Sequence, residues 1–321
     1  MSDSNTILHL QRFDDLDVRI FRELGSPSSL QWNVRETYSG IARRIGVDEE
    51  TVRRRVKRAE KLGSVTGWRM MLNPHTIGCE ACGMDVEVKD EQRKDRTIEE
   101  IRRVDGVVKI LNFRGRALQV TLYYLGDDAL KRKTELLTSL CGSEPTVWKI
   151  EFPRSRTGLT VTDWKIIQAM LEDARKSLQA VSETMGVSVR TITRRLTYLT
   201  QERAVYLQGT PNFSNFAGLS CVFLVFCPYA EKKETVDDLV LFKVPRIELS
   251  NTNSKQHSTF VTVFDNLSQA DDFAKWIEGF DGVRRVKLGI MKDLIVVQDW
   301  LKDEIGRRVA GRGELLQEHD R

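Results

Sequence analysis

The sequence predicts an α+β fold in which a three-helix unit with a strand tail and a small βαββαβ domain each occur twice along 321 residues. Three observations carry this. Residues 41–56, IARRIGVDEETVRRRV, align without a gap on residues 181–196, VSETMGVSVRTITRRL. Gly46, Val47, Thr51, Arg54 and Arg55 then face Gly186, Val187, Thr191, Arg194 and Arg195, and the register persists through Val65 and Val205 to Gly78 and Gly218. Apolar residues have helical spacing inside the repeated segments and alternate as in strands after them.

The first helix of each copy is marked by Leu16, Ile20, Phe21 and Leu24 and by Ile166, Ile167, Met170 and Leu171. Asp17-Val-Arg-Ile-Phe matches Asp163-Trp-Lys-Ile-Ile, after an insertion near Ser26 to Asn33 that contains Pro27. Tyr38, Ile41, Ala42 and Ile45 mark a second helix, as do Leu178, Val181, Ser182 and Met185. Gly46 and Gly186 end it, because glycine accepts a left-handed backbone. Asp48 and Ser188 then N-cap a third helix. Such a pair is a helix-turn-helix, and the strands expected at 65–72 and 205–210 make it winged.

After each unit the pattern changes. Strands at 80–89, 108–113, 118–125 and 147–152, with helices at 97–104 and 129–141, give the ferredoxin-like order. Segments 220–227, 235–242, 247–250, 258–264, 269–280 and 286–297 repeat it. The expected domains are winged helix-turn-helix units at 12–75 and 158–214 and ferredoxin-like domains at 78–153 and 218–300. Residues 306–321, rich in Gly, Arg and Glu, read as a flexible tail.

Composition excludes several classes. No apolar run approaches the roughly 20 residues of a membrane span, and Met1 to Gln11 lack the order of a secretory signal, so the chain is expected in the cytoplasm. Cys79, Cys82, Cys141, Cys221 and Cys227 are too few and too scattered for a disulfide framework. The Cys79/Cys82 pair has no second pair beside it and reads as buried small apolar residues in a strand, so neither metal nor cofactor is expected. A net charge of +4 is mild, and where the positive charge sits is more informative.

The positive charge gathers on the third helices. Between Arg43 and Lys61 stand eight Arg or Lys against four acids. Val52, Val56 and Ala59 form the buried stripe, so at about 100° per residue Glu50 and Arg54 point the other way, flanked by Arg53, Lys57 and Arg58. With Thr51 and Arg55 these are the candidate contacts to double-stranded DNA. The second copy offers Arg190, Thr191, Thr193, Arg194, Arg195, Thr197 and Tyr198. Arg can pair bidentately with guanine, and Thr can touch a thymine methyl or a phosphate. A charged face opposite a buried stripe is also what any solvated helix presents. The recurrence of the Arg pair in both copies favours DNA. Glu49 and Glu50 suit the helix dipole but would repel phosphate unless one accepts from a cytosine amino group.

These residues carry a family resemblance. The helix opening at Leu16-Asp17, the Gly-Val-x-x-x-Thr-Val-x-Arg-Arg helix, the exit Leu62-Gly63-Ser64-Val65 and the segment Leu72-Asn73-Pro74 resemble the Lrp/AsnC (feast/famine) regulators. The resemblance spans the chain twice, from Leu16 to Phe152 and from Thr162 to Val297. It implies transcription regulation, a RAM-type α/β domain that oligomerises, and a small-molecule effector held near the loop between that domain's second and third strands. The matching loops are Asn112-Phe-Arg-Gly-Arg116 and Asn251-Thr-Asn-Ser-Lys-Gln256, neither with the family's acidic residue. Arg114, Gly115 and Arg116 are the candidate effector contacts.

Two other readings compete with a non-enzymatic regulator. Sirohaem decarboxylases resemble the same duplicated architecture, but His9, His75, His257 and His319 form no cluster in sequence. An oligomeric sensor without DNA binding is the third. The open sheet faces are expected to pack on one another through Val120, Leu122 and Tyr124 and through Val261 and Val263. A homodimer is favoured over pairing within one chain.

Overall fold

The computed structural model describes residues 13–25, 30–155, 158–243, 247–251 and 254–311. Its first half runs α1 (Asp15–Gly25), α2 (Tyr38–Ile45), α3 (Glu49–Lys61), β1 (Val65–Leu72), β2 (Glu80–Glu87), α4 (Lys94–Arg102), β3 (Val107–Phe113), β4 (Ala117–Tyr124), α5 (Gly126–Cys141) and β5 (Thr146–Ile150). The second half repeats that order as α6 (Val161–Met170), α7 (Leu178–Met185), α8 (Val189–Gln201), β6 (Val205–Pro211), β7 (Leu219–Phe226), α9 (Ala230–Lys243), β8 (Ile247–Asn251), β9 (His257–Phe264), α10 (Leu267–Glu278) and β10 (Arg285–Val296). A further helix, α11 (Asp299–Val309), follows.

The helical units form for the reasons their caps foretell. Gly46 closes α2 at φ +76° and Gly186 closes α7 at φ +65°, each in the left-handed region. Asp48 then accepts the Thr51 N–H at 2.7 Å, and Ser188 accepts that of Thr191 at 3.2 Å, to start α3 and α8. Val52, Val56 and Ala59 of α3, like Ile192, Leu196 and Leu199 of α8, are buried as expected.

Each α/β domain has the ferredoxin-like strand order, and the two sheets join into one ordered β5-β2-β4-β3-β10-β7-β9-β8. The long β10 is shared: residues 285–290 pair with β7, and Met291 to Val296 pair with β3. In a flat sheet β5 and β9 would lie six strand spacings apart, roughly 29 Å. Instead the Trp148 ring of β5 stacks on His257 of β9 at 4.8 Å. Gln119 of β4 donates to Thr259 of β9 at 3.2 Å, and Lys287 of β10 meets Asp85 of β2 at 2.8 Å. The sheet therefore folds over at β10 and its halves face each other.

The sheets do pack on one another, within a single chain, but one half of the expected contact is corrected. Val120, Leu122 and Tyr124 point to the helix side, where they pack with Ile98, Ile101 and Leu137. Gln119 lies on the facing side of β4, one residue out of step with them. Since side chains alternate, an offset of one moves a whole set to the other face. In the second half Val261 and Val263 do face inward, against Leu111 and Phe113.

The two wings also pair. β1 and β6 form a two-stranded antiparallel sheet, with Met70 opposite Leu207 and Leu72 opposite Val205. Residues at the start of the expected tail belong to α11, which packs on α6, while 312–321 lie outside the described residues. Trp300 and Leu301 supply an apolar face, and the buried Glu304 is bonded by Arg307 at 2.7 Å and Arg308 at 3.0 Å. All five cysteines are buried and unpaired. Among the described residues no helix is long and apolar enough to cross a membrane.

Candidate nucleic-acid interface

On α3, Glu50, Arg54, Lys57 and Arg58 are exposed, while Thr51 and Arg53 are half-buried. Arg53 pairs with Glu49 and stands 3.5 Å from Glu50, so the two acids of the first turn meet a cation of their own helix. That leaves Arg54, Lys57 and Arg58 as an outward row spaced three and one residues apart. Thr51 is occupied with its cap, its hydroxyl donating to Asp48 at 2.8 Å.

On α8, Arg190, Thr193, Arg194 and Thr197 are exposed, while Thr191 and Tyr198 are half-buried. No acidic residue stands in its first turn, so the weaker basicity of this helix is not offset by carboxylates. The Thr193 and Thr197 hydroxyls donate to the carbonyls four residues back, at 2.9 and 3.0 Å.

Arg55 and Arg195, both candidates for DNA contact, are held inward by acids of their own unit. Arg195 Nε donates to Asp163 Oδ1 at 2.6 Å, and its terminal nitrogen pairs with Oδ2. Asp163 also closes a capping box with Thr160 at the start of α6. Arg55 spans Asp14 at 2.6 Å and Asp17 at 3.1 Å, where Asp14 and Asp17 exchange the same reciprocal cap bonds at the start of α1. Burial pushes the Asp163 carboxyl up, yet its bonds from Arg195 and Thr160 outweigh that and hold it below the usual value. At Asp17 burial wins, and the carboxyl sits above its usual value. The signal was present in the repeat, because Asp17/Asp163 and Arg55/Arg195 recur together as opposite charges.

The feature that sequence reasoning missed is the lock between the two units. The Met70 N–H of β1 donates to Leu171 O at 3.1 Å, and the Ala174 N–H donates to Trp68 O at 2.9 Å. In return the Leu207 N–H of β6 donates to Gln31 O at 2.8 Å. Each wing thus pairs with the other wing and with the linker of the other unit. Arg35 reaches Lys176 O at 3.0 Å, and Arg175 reaches Glu36 O at 3.2 Å and lies over the Tyr38 ring. The two third helices are therefore mounted on one rigid body. No motif encodes this, since main-chain pairing has no residue signature.

The candidate effector loop is a tight turn. Gly115 takes φ +72°, and the buried Lys94 ammonium donates to the carbonyls of Phe113 and Gly115, at 2.5 and 2.6 Å. Arg116 stands 3.4 Å from Glu87, and the Arg114 N–H donates to Ile290 O at 2.7 Å. The turn's backbone is thus bonded to its own fold. The second loop falls partly on residues 252–253, outside those described. Among the described residues no cluster of metal-ligating side chains occurs.

Residues 159–200 match the AsnC-type helix-turn-helix domain. The chain is 28% identical over 114 residues to the HTH-type transcriptional regulator Ptr1 of Methanocaldococcus jannaschii, covering 36% of this chain and 73% of that protein. It is 36% identical over 95 residues to an uncharacterized HTH-type transcriptional regulator of Pyrococcus furiosus, covering 29% of this chain and 60% of that protein. The crystal structure of the siroheme decarboxylase NirDL overlays 93% of this chain and 99% of its own, with TM-score 0.55 and 10% identity. That last likeness is one of fold.

Proposed function

We propose that this chain is a regulator of the Lrp/AsnC type, a sequence-specific DNA-binding protein reading an asymmetric site. The observation that carries the reading is the exposed Arg54 and Arg194 at matching positions of two helices fixed to one another by reciprocal wing pairing. A third helix of this kind lies in the major groove. Here the two helices differ in sequence, and the Arg54, Lys57 and Arg58 row of α3 supplies more phosphate attraction than α8. Operator symmetry mirrors protein symmetry, so two different readers on one body favour a site with two different halves. Such a protein works in the compartment that holds the DNA, the cytoplasm in a cell without a nucleus. A small-molecule effector remains part of the proposal, and so does assembly of chains into a homodimer or higher oligomer through surfaces other than the joined sheets.

The test is selection from a random duplex library, followed by fluorescence anisotropy at several salt concentrations. An enriched non-palindromic site, bound with a steep salt dependence, supports the reading. Failure to enrich any site sinks it.

The overlay with NirDL supports a second reading, a decarboxylase acting on a tetrapyrrole. Against it stand the engagements of the two described histidines. His75 Nδ1 lies 3.1 Å from Pro153 O, and His257 is stacked between Trp148 and Phe226. An absorbance scan of the purified protein with added tetrapyrrole separates the readings: a shifted Soret band with no DNA binding would favour the enzyme.

A further inference from the structure

Between the end of α4, the outer face of α5 and the start of α11 lies an open cleft of about 670 Å³, the size of ordinary small-molecule sites. Its floor is apolar, with Tyr123, Leu136, Leu140 and Trp300. Leu136 is 44% exposed, one of few large apolar side chains left open among the described residues. Its rim carries Arg103, Arg132 and Lys133 against Glu100 and Asp105. Three cations thus stand against two acids on the rim, a small excess of positive charge. Lys133 is fixed there by donating to the Asp105 carbonyl, and burial lowers its pKa below the usual value.

The duplication supplies an internal comparison. On α10, the counterpart of α5, Phe273 packs edge-on against Phe223 at 4.8 Å, and Trp276 and Phe280 follow it at 5.4 and 4.8 Å. The second copy carries this run of packed rings on its helix, where the first has Arg132, Lys133 and an exposed Leu136. A gap kept open over an apolar floor with a cationic rim is complementary to one kind of ligand.

We propose that this cleft binds a small organic monoanion with an apolar body, and that its occupancy alters DNA affinity through the second helix-turn-helix unit. Only the second half rests on the regulator reading. Trp300 lines the cleft at one end of α11, and α11 packs on α6. Farther along, Arg308 lies 5.1 Å over the Trp164 ring of α6 and 3.5 Å from Ile77 O, and Ile77 also lines the cleft. A ligand seated on Trp300 and Ile77 thus bears on the helix that supports the second reader. Coupling of this kind is reciprocal, so DNA should change the ligand's affinity by the same factor.

The test uses 8-anilinonaphthalene-1-sulfonate, an apolar body with one anionic group, titrated by fluorescence into the full chain, with circular dichroism to confirm the fold of each variant. The wild type should saturate at one probe per chain. Arg132→Glu should weaken binding roughly tenfold or more, the loss of one charge-assisted contact, and Leu136→Trp should remove the saturable signal by filling the cleft. Equal affinity and stoichiometry in all three folded proteins overturns the site. Saturating probe should shift the DNA dissociation constant of the wild type and not of Arg132→Glu, and no shift overturns the coupling. If the probe binds as expected but no duplex does, the regulator reading falls and the site stands.

Discussion

Arg195 grips both carboxylate oxygens of the buried Asp163, so the third helix of the second unit is bolted to the start of its first. Arg55 does the same in the first unit, but divides itself between Asp14 and Asp17 and leaves Asp17 Oδ1 without a bond. One design, repeated, is satisfied to different degrees.

Asp163→Asn should therefore cost about 3 kcal/mol, the lower end for breaking a buried pair, and Asp17→Asn distinctly less. Urea unfolding at neutral pH measures both. The pH dependence has opposite signs. A carboxyl whose folded pKa is depressed contributes stability above the unfolded value of about 4, lost as pH falls through the folded value. The deficit of Asp163→Asn should then shrink on going from pH 7 to pH 3. Asp17, with its raised folded pKa, is destabilising once ionised, so the deficit of Asp17→Asn should not shrink over that range. Parallel behaviour of the two variants would contradict the assignment.

Arg54→Ala and Arg194→Ala test the docking surface. Each should weaken specific binding by roughly 1–3 kcal/mol if it reads a guanine. Lys57→Ala should instead reduce the salt slope by about 0.9, the share of one phosphate. Arg195→Ala should lower thermal stability first, which separates a positioning residue from its exposed neighbour. A double Arg54→Ala/Arg194→Ala variant that still folds and binds unchanged would remove the surface from consideration.

Gly83→Ala probes the contact between sheets. A methyl there would lie 2.4 Å from the Trp148 ring, which is stacked on His257. Forcing that ring aside should cost roughly 1–3 kcal/mol, the usual price of overpacking, and should alter tryptophan fluorescence. An unchanged spectrum and midpoint would mean that the stack is loose.

Gln298→Ala should destabilise by about 1–3 kcal/mol, since its amide donates to Met70 O at 3.1 Å and Leu171 O at 2.8 Å in a buried setting. Hydrogen exchange should then rise along β1 and at the end of α6. Exchange confined to α11 would count against this link.

How much of this was legible follows from what each element exposes. The helix-turn-helix units are readable because Gly46, Asp48 and the Val52, Val56 and Ala59 stripe are local signals. The faces of the first sheet were not. Asp85, Gln119 and Thr121 occupy the side turned to the other sheet, where polar residues mimic a solvated face, so the alternation of β4 alone points the wrong way. The last turn of α11 falls in the expected tail, because Gly306 and the buried Glu304 interrupt its apolar stripe. Among the third-helix candidates the repeat marked Arg54 and Arg55 alike, and only the neighbouring Asp17 distinguishes the exposed one from the anchored one.

The length of β10 has a consequence for the order in which this molecule can be made. Its first half completes the second sheet and its second half covers an edge of the first, so residues near 110 stay bare until residues near 295 arrive. A ribosome emits the earlier domain long before the strand that finishes it. Until then the β3 edge, with Leu111 and Phe113 on it, is an unpaired template of the sort that recruits strangers. Cells making this chain must either carry that nascent edge past other chains or shield it, and a copy cut short before Arg285 should be found in aggregates.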